Sequence, residues 1–134
     1  MRAPTSVETQ LLSAARVDEW PGRKTLFHEG DAPRDVYVVV SGEIDLIFSA
    51  RRGTQKTLRV ARAGEVLGLG DVVAGTPHDC TAATRTAATI GTLPVNELHR
   101  LLEDDPSLWL AVLQFLSNDV NACYESMRCV AALR

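Results

Sequence analysis

The chain has 134 residues, enough for one domain with a real core, and its 46% hydrophobic and 23% charged composition is that of an ordinary globular protein. A net charge of −3 gives no bulk attraction to nucleic acid or to an anionic membrane. No apolar run reaches the length of a bilayer span, and residues 1–4 lead into no signal-peptide core, so the expected setting is the cytoplasm.

Thr5 and Glu8 stand at capping-box spacing before Leu11, Leu12 and Ala15, which predicts a short amphipathic helix over about residues 6–15. Trp20, Pro21 and Gly22 stop it. Residues 24–28 alternate weakly and read as a first strand, turned at Glu29-Gly30-Asp31. Residues 35–40, DVYVVV, form the clearest strand signal in the chain. A Ser41-Gly42 turn leads into residues 43–49, where Ile44, Leu46 and Phe48 share one face. Residues 57–61 make the next strand. Arg51, Arg52, Lys56, Arg59 and Arg62 surround this hairpin and read as a solvated face. Short strands at such close spacing favour a small barrel or sandwich over a parallel sheet.

Residues 64–84 are the stretch around which the chain is organised. They read as a strand, a turn rich in glycine (Gly68, Gly70, Gly75), a short polar segment, then another strand. Such a turn lets backbone N–H groups converge on a small anion, although a plain connection between hairpins explains the same residues. Residues 80–93 suit a strand pair. Pro94 opens a short helix over residues 94–102, with Val95, Leu98, Leu101 and Leu102 on one side.

Asp105 caps a last helix with Pro106 at its first position, running to about residue 133 as a rod on the order of 40 Å. Trp109, Leu113, Leu116, Val120, Cys123, Met127 and Val130 recur at heptad spacing, with Leu110, Val112 and Phe115 forming a second, shorter apolar face. A helix apolar on two sides needs more than its own domain to cover it, which predicts a homodimer through this seam. The odd cysteine count (Cys80, Cys123, Cys129) argues against a disulfide framework.

Phe27-x-Glu29-Gly30-Asp31, followed by residues 36–43 (VYVVVSGE) and later by residues 64–68 (GEVLG), resembles the cyclic nucleotide-binding domain family. The likeness covers about residues 18–130 and is strongest to the sensor domain of bacterial CRP/FNR-type regulators. It implies a mainly β α+β fold. An antiparallel β-roll or jelly-roll barrel over about residues 18–93 would be flanked by a short N-terminal helix, a short helix and a long dimerisation helix over about residues 94–133. It also implies a phosphate-binding cassette at Gly68, Leu69, Gly70, Asp71, Val72, His78, Asp79, Cys80 and Thr81.

Two cassette positions depart from the family pattern. Leu69 stands where a glutamate would accept from a ribose hydroxyl, and His78 where an arginine would pair with the cyclic phosphate. Arginine offers a permanent forked charge, whereas histidine is mostly neutral at pH 7 from its unperturbed value near ~6.5. A ribose hydroxyl left unpaired against Leu69 would cost roughly 1–3 kcal/mol. The expectation is a non-enzymatic sensor that keeps a pocket for a small anionic ligand and binds cyclic AMP or GMP weakly or not at all. Other readings are a vestigial pocket serving dimerisation or partner docking, the sensor half of a CRP/FNR-type regulator, and a small enzyme using His78 and Asp79. No metal site, catalytic motif or DNA-reading element is expected; Gly68-Leu69-Gly70 fails as a dinucleotide fingerprint because Val73 stands where a third glycine belongs.

Overall fold

The computed structural model describes residues 6–49 and 53–117. Helix α1 (Val7–Ala14) is followed by strands β1 (Arg16–Trp20), β2 (Thr25–Phe27), β3 (Asp35–Ser41), β4 (Ile44–Ser49), β5 (Gln55–Ala61) and β6 (Val66–Leu67). Then come helix α2 (Leu69–Ala74), strands β7 (Thr81–Thr84) and β8 (Ala88–Pro94), and helix α3 (Val95–Asp104). Helix α4 begins at residue 106 and is described to residue 117.

The strands form two four-stranded antiparallel sheets, β1-β8-β3-β6 and β2-β7-β4-β5. This is the expected β-roll with helices at its ends. Strand β3 explains how the layers stack. Tyr37 and Val39 join the core between the sheets with Phe27, Ile44 and Ile90. Val36 and Val38 point the other way, into a second core with Leu11, Leu69, Leu93, Leu98 and Val112. Period-2 alternation puts neighbours on opposite faces, so a strand buried on both sides must be apolar throughout. That is why residues 36–39 read as a continuous run rather than an alternation; Val40, which extends the run, is exposed.

Four details differ from the sequence reading. Helix α1 is capped by Ser6, whose side chain accepts from the Thr9 N–H at 3.4 Å; Thr5 lies outside the described residues. Strand β1 follows that helix at once. All but Trp20 of its residues are exposed, so no hydrophobic alternation announced it. Residues 68–75 hold helix α2 rather than an open turn. Its six residues include a glycine and two adjacent valines, weak helix formers that hide a short helix. Finally, β7 and β8 are both strands but do not pair with each other: β7 lies between β2 and β4, and β8 between β1 and β3.

The inward alternation in β4 holds through Ile44 and Leu46 and then breaks. Leu46 faces Arg59 while Ile47 faces Thr57, so Leu58 is an extra residue and the ladder bulges. The basic residues nearby are balanced rather than gathered. Arg59 bonds Glu65, whose other oxygen accepts from the Arg62 N–H, and Arg62 reaches Glu43 at 3.1 Å. Arg51 and Arg52 lie outside the described residues.

Candidate functional site

The Glu29-Gly30-Asp31 turn and the end of the cassette are knitted together by backbone bonds. Gly30 N–H donates to the His78 carbonyl at 2.8 Å, and His78 N–H donates to the Asp31 carbonyl at 2.9 Å. Glu29 N–H donates to Thr81 Oγ1 at 2.9 Å, and the Glu29 carboxylate accepts from Ser49 N–H at 2.9 Å. The motif that carried the resemblance thus fixes the position of His78.

Two left-handed glycines bracket α2, Gly68 before it and Gly75 after it. Gly68 has φ +86°, and a Cβ there would stand 3.3 Å from His78 Cε1 and 3.4 Å from the Asp35 carbonyl. Only glycine meets both demands. The close approach brings the imidazole against the start of α2.

His78 is buried, and both faces of its environment are set. Its ring stacks on Phe27 with centroids 3.8 Å apart and planes 19° from parallel. Its Nδ1 lies 3.0 Å from Asp71 Oδ2. Burial pushes the Asp71 carboxyl above its usual range and Asp79 adds to this, against the opposing pull of the bond to His78. The sequence reading set His78 beside Asp79 as neighbours; the structure pairs the imidazole with Asp71 on α2 and leaves Asp79 exposed.

The remaining cassette residues divide between the two cores. Leu69 is 1% exposed and packs with Val36, Leu93 and Leu98 in the helical core. Cys80 is buried between the sheets. Val72 is half-buried against the helical core, and Thr81 serves Glu29 as above. Gly70 lies inside α2, and a Cβ on it would stand 3.7 Å from Leu116 Cδ2, so α4 rests on the cassette helix.

A cavity of about 460 Å³ opens beside His78. Leu26, Phe27, Tyr37 and Ala32 form its apolar wall, and His28, Asp31, Arg34 and Asp35 its polar rim. The Tyr37 hydroxyl donates to the Leu26 carbonyl at 3.1 Å. Burial, then the Asp35 carboxylate beside it, push the Tyr37 phenol up to about 12. Apart from His78, the lining comes from residues outside the cassette. Phe27 and Asp31 stood in the motif, but nothing in their spacing marks them as walls of a cavity.

On α4, Leu108 and Val112 are buried in the helical core, while Trp109, Leu110 and Leu113 are 41%, 71% and 52% exposed. Leu116 is half-buried against the helical core. Val120, Cys123, Met127 and Val130 lie outside the described residues. No helix among the described residues is long and apolar enough to cross a membrane.

Comparison with known proteins places this geometry. Residues 17–105 match the model of the cyclic nucleotide-binding domain. The chain is 32% identical over 77 residues to potassium channel AKT1 of Oryza sativa subsp. indica, covering 58% of this chain and 8% of the channel. It is 20% identical over 124 residues to the cAMP-activated global transcriptional regulator CRP of Salmonella typhimurium, covering 92% of this chain and 59% of the regulator. The crystal structure of a cyclic nucleotide-binding domain from Methylobacillus flagellatus superposes with a TM-score of 0.80 at 22% identity, over 95% of this chain and 72% of that one. At that identity the likeness shows the fold. The chain therefore spans less than two thirds of the length of the channel and regulator relatives, and by the match over residues 17–105 it belongs to the cyclic nucleotide-binding domain family.

Proposed function

We propose that this chain is a non-enzymatic sensor module with an altered cassette, binding cyclic AMP and cyclic GMP weakly or not at all. The observation that carries this reading is the engagement of His78. Its ring is stacked on Phe27 and its Nδ1 is taken by Asp71, so the position that would grip a cyclic phosphate is already paired with a carboxylate of the same chain. An incoming phosphate would have to displace that carboxylate and bear the charge of Asp79 beside it. Arg34 lines the cavity from the loop before β3, together with the carboxylates of Asp31 and Asp35.

The output side of the sensor is α4. The Gly70–Leu116 approach lets a shift in α2 reach α4, and a ligand acts through it only if it binds two arrangements of these helices unequally. The exposed Trp109 and Leu113, both on the heptad seam, and the exposed Leu110 beside them favour a homodimer through this helix. The same apolar face supports the second reading, in which the pocket is vestigial and the module only dimerises or docks. The match to 59% of a transcription regulator makes the sensor half of such a protein the natural setting.

Thermal unfolding with each nucleotide at ~1 mM tests the ligand claim. A ligand at a thousand times its Kd stabilises by about 4 kcal/mol, a rise of many degrees for a domain of this size. The expected rise is under about 1 °C. A large rise with either nucleotide contradicts the proposal.

A further inference from the structure

The cavity beside His78 has a chemistry of its own, and it is not that of an anion receptor. Asp71 is an acceptor, so Nδ1 of the imidazole carries the proton between them. In the neutral ring this leaves Nε2 as a lone pair, with no hydrogen-bond partner among the described residues. No fully buried side-chain nitrogen or oxygen lacks a partner among those residues. Nε2 must therefore look onto open space, and the cavity is the space that this side chain, only 2% exposed, lines. The Tyr37 hydroxyl has already donated its proton to the Leu26 carbonyl and offers only lone pairs. Asp31 and Asp35 add two carboxylates, against one fixed cation, Arg34. The walls are the rings of Phe27 and Tyr37, which stack at 6.0 Å.

We propose that this cavity binds a small organic cation with a planar, apolar body, an arylalkylamine in type, held by its ammonium on Asp35 and Asp31 and by its ring against Phe27 and Tyr37. Arg34 and His28 apart, the polar groups facing such a ligand accept, and the two carboxylates outnumber the one guanidinium, so a donor-rich cation satisfies them where a cyclic phosphate would add like charge. Ammonium over an aromatic face gains further from the ring quadrupole. The volume of about 460 Å³ suits a molecule of one ring and a short chain. This inference rests on the altered-receptor reading and names the class of ligand that the altered receptor takes.

The test is a titration of the full chain with tyramine, followed by two-dimensional amide NMR. 4-Hydroxyphenylethanol, with the same ring and no charge, and cyclic AMP are titrated in parallel. Tyramine is expected to give saturable shifts at Phe27, Tyr37 and His78 with a Kd of about 1 mM or tighter. The alcohol should bind roughly tenfold more weakly or not at all, and Asp35→Asn should weaken tyramine by a similar factor. If Asp35→Asn does not fold, Asp31→Asn provides the charge test, with an expected loss of roughly threefold. Absence of saturable tyramine shifts, shifts elsewhere in the molecule, or equal binding of the alcohol each overturn the inference. Cyclic AMP separates the two levels. Micromolar cyclic AMP without tyramine overturns both readings, whereas silence from both ligands overturns only this one.

Discussion

Leu69 and Asp71 sit two positions apart on one short helix, yet they serve different halves of the molecule. Leu69 is a core residue and Asp71 a partner of the cavity imidazole. The sequence marked Leu69 only as a missing glutamate; its burial with Val36 and Leu98 follows from the turn of α2, which the glycines concealed. Replacing it by Glu should therefore not rebuild a ribose contact. It should destabilise the fold by about 3 kcal/mol or more, because a carboxylate would enter an apolar core. Urea unfolding measures this, and a loss below about 1 kcal/mol would show that position 69 can face solvent.

Asp71 gives a pH signature. Its folded value is raised by burial, so the ionised form costs stability that the protonated form does not. The stability it contributes is present below the unfolded value of 3.8 and is lost as pH rises through the raised folded value. Asp71→Asn should thus gain relative to the parent chain as pH rises from acid to neutral, measured as the difference in unfolding free energy across that range. Tyr37 gives the alkaline counterpart. Its phenol is raised from 10.0 to about 12, so its share of stability is complete below pH 10 and lost as pH climbs through about 12. In a spectrophotometric titration, Tyr37→Phe should remove an absorbance step near 12 and no step near 10.

At the scale of elements, legibility tracked burial pattern. Strands β3 and β4 were readable because β-branched and aromatic residues run or alternate there, and α3 because its leucines recur on one side. Strand β1 was not, since its stability comes from pairing with β8 rather than from a buried face. The crossing from β7 to β8 was also hidden, because which sheet a strand joins is decided by pairing far along the chain. Gly91 shows how tightly α1 closes on β8. A Cβ there would stand 2.6 Å from Leu12 Cδ1 and 3.2 Å from Ala15 Cβ. Leu12 can shift, but the helix backbone behind Ala15 must also move. Gly91→Val should cost about 1–3 kcal/mol by overpacking, and hydrogen exchange should show α1 loosened before the sheets.

For the whole molecule, the decisive feature is that α4 touches both the cassette helix and the outside. Leu108 and Val112 hold it to the domain, Leu116 lies over Gly70, and Trp109 and Leu113 are left uncovered. The sequence reading had this helix shared between its own domain and a partner; of the heptad series, Trp109 and Leu113 are exposed whereas Leu116 packs on the domain side, and Leu110, assigned to the second face, is exposed. Leu113→Glu should leave the fold's stability within about 0.5 kcal/mol while converting dimer to monomer in native mass spectrometry. A parent chain already monomeric at tens of micromolar would contradict the seam. The cassette itself is tested most directly by calorimetry with cyclic AMP and cyclic GMP. With His78 held by Asp71 and Phe27, neither nucleotide should give a heat above dilution at micromolar protein. A saturable isotherm with a micromolar Kd for either would show that the imidazole yields to phosphate after all, and that the module is an ordinary cyclic-nucleotide sensor.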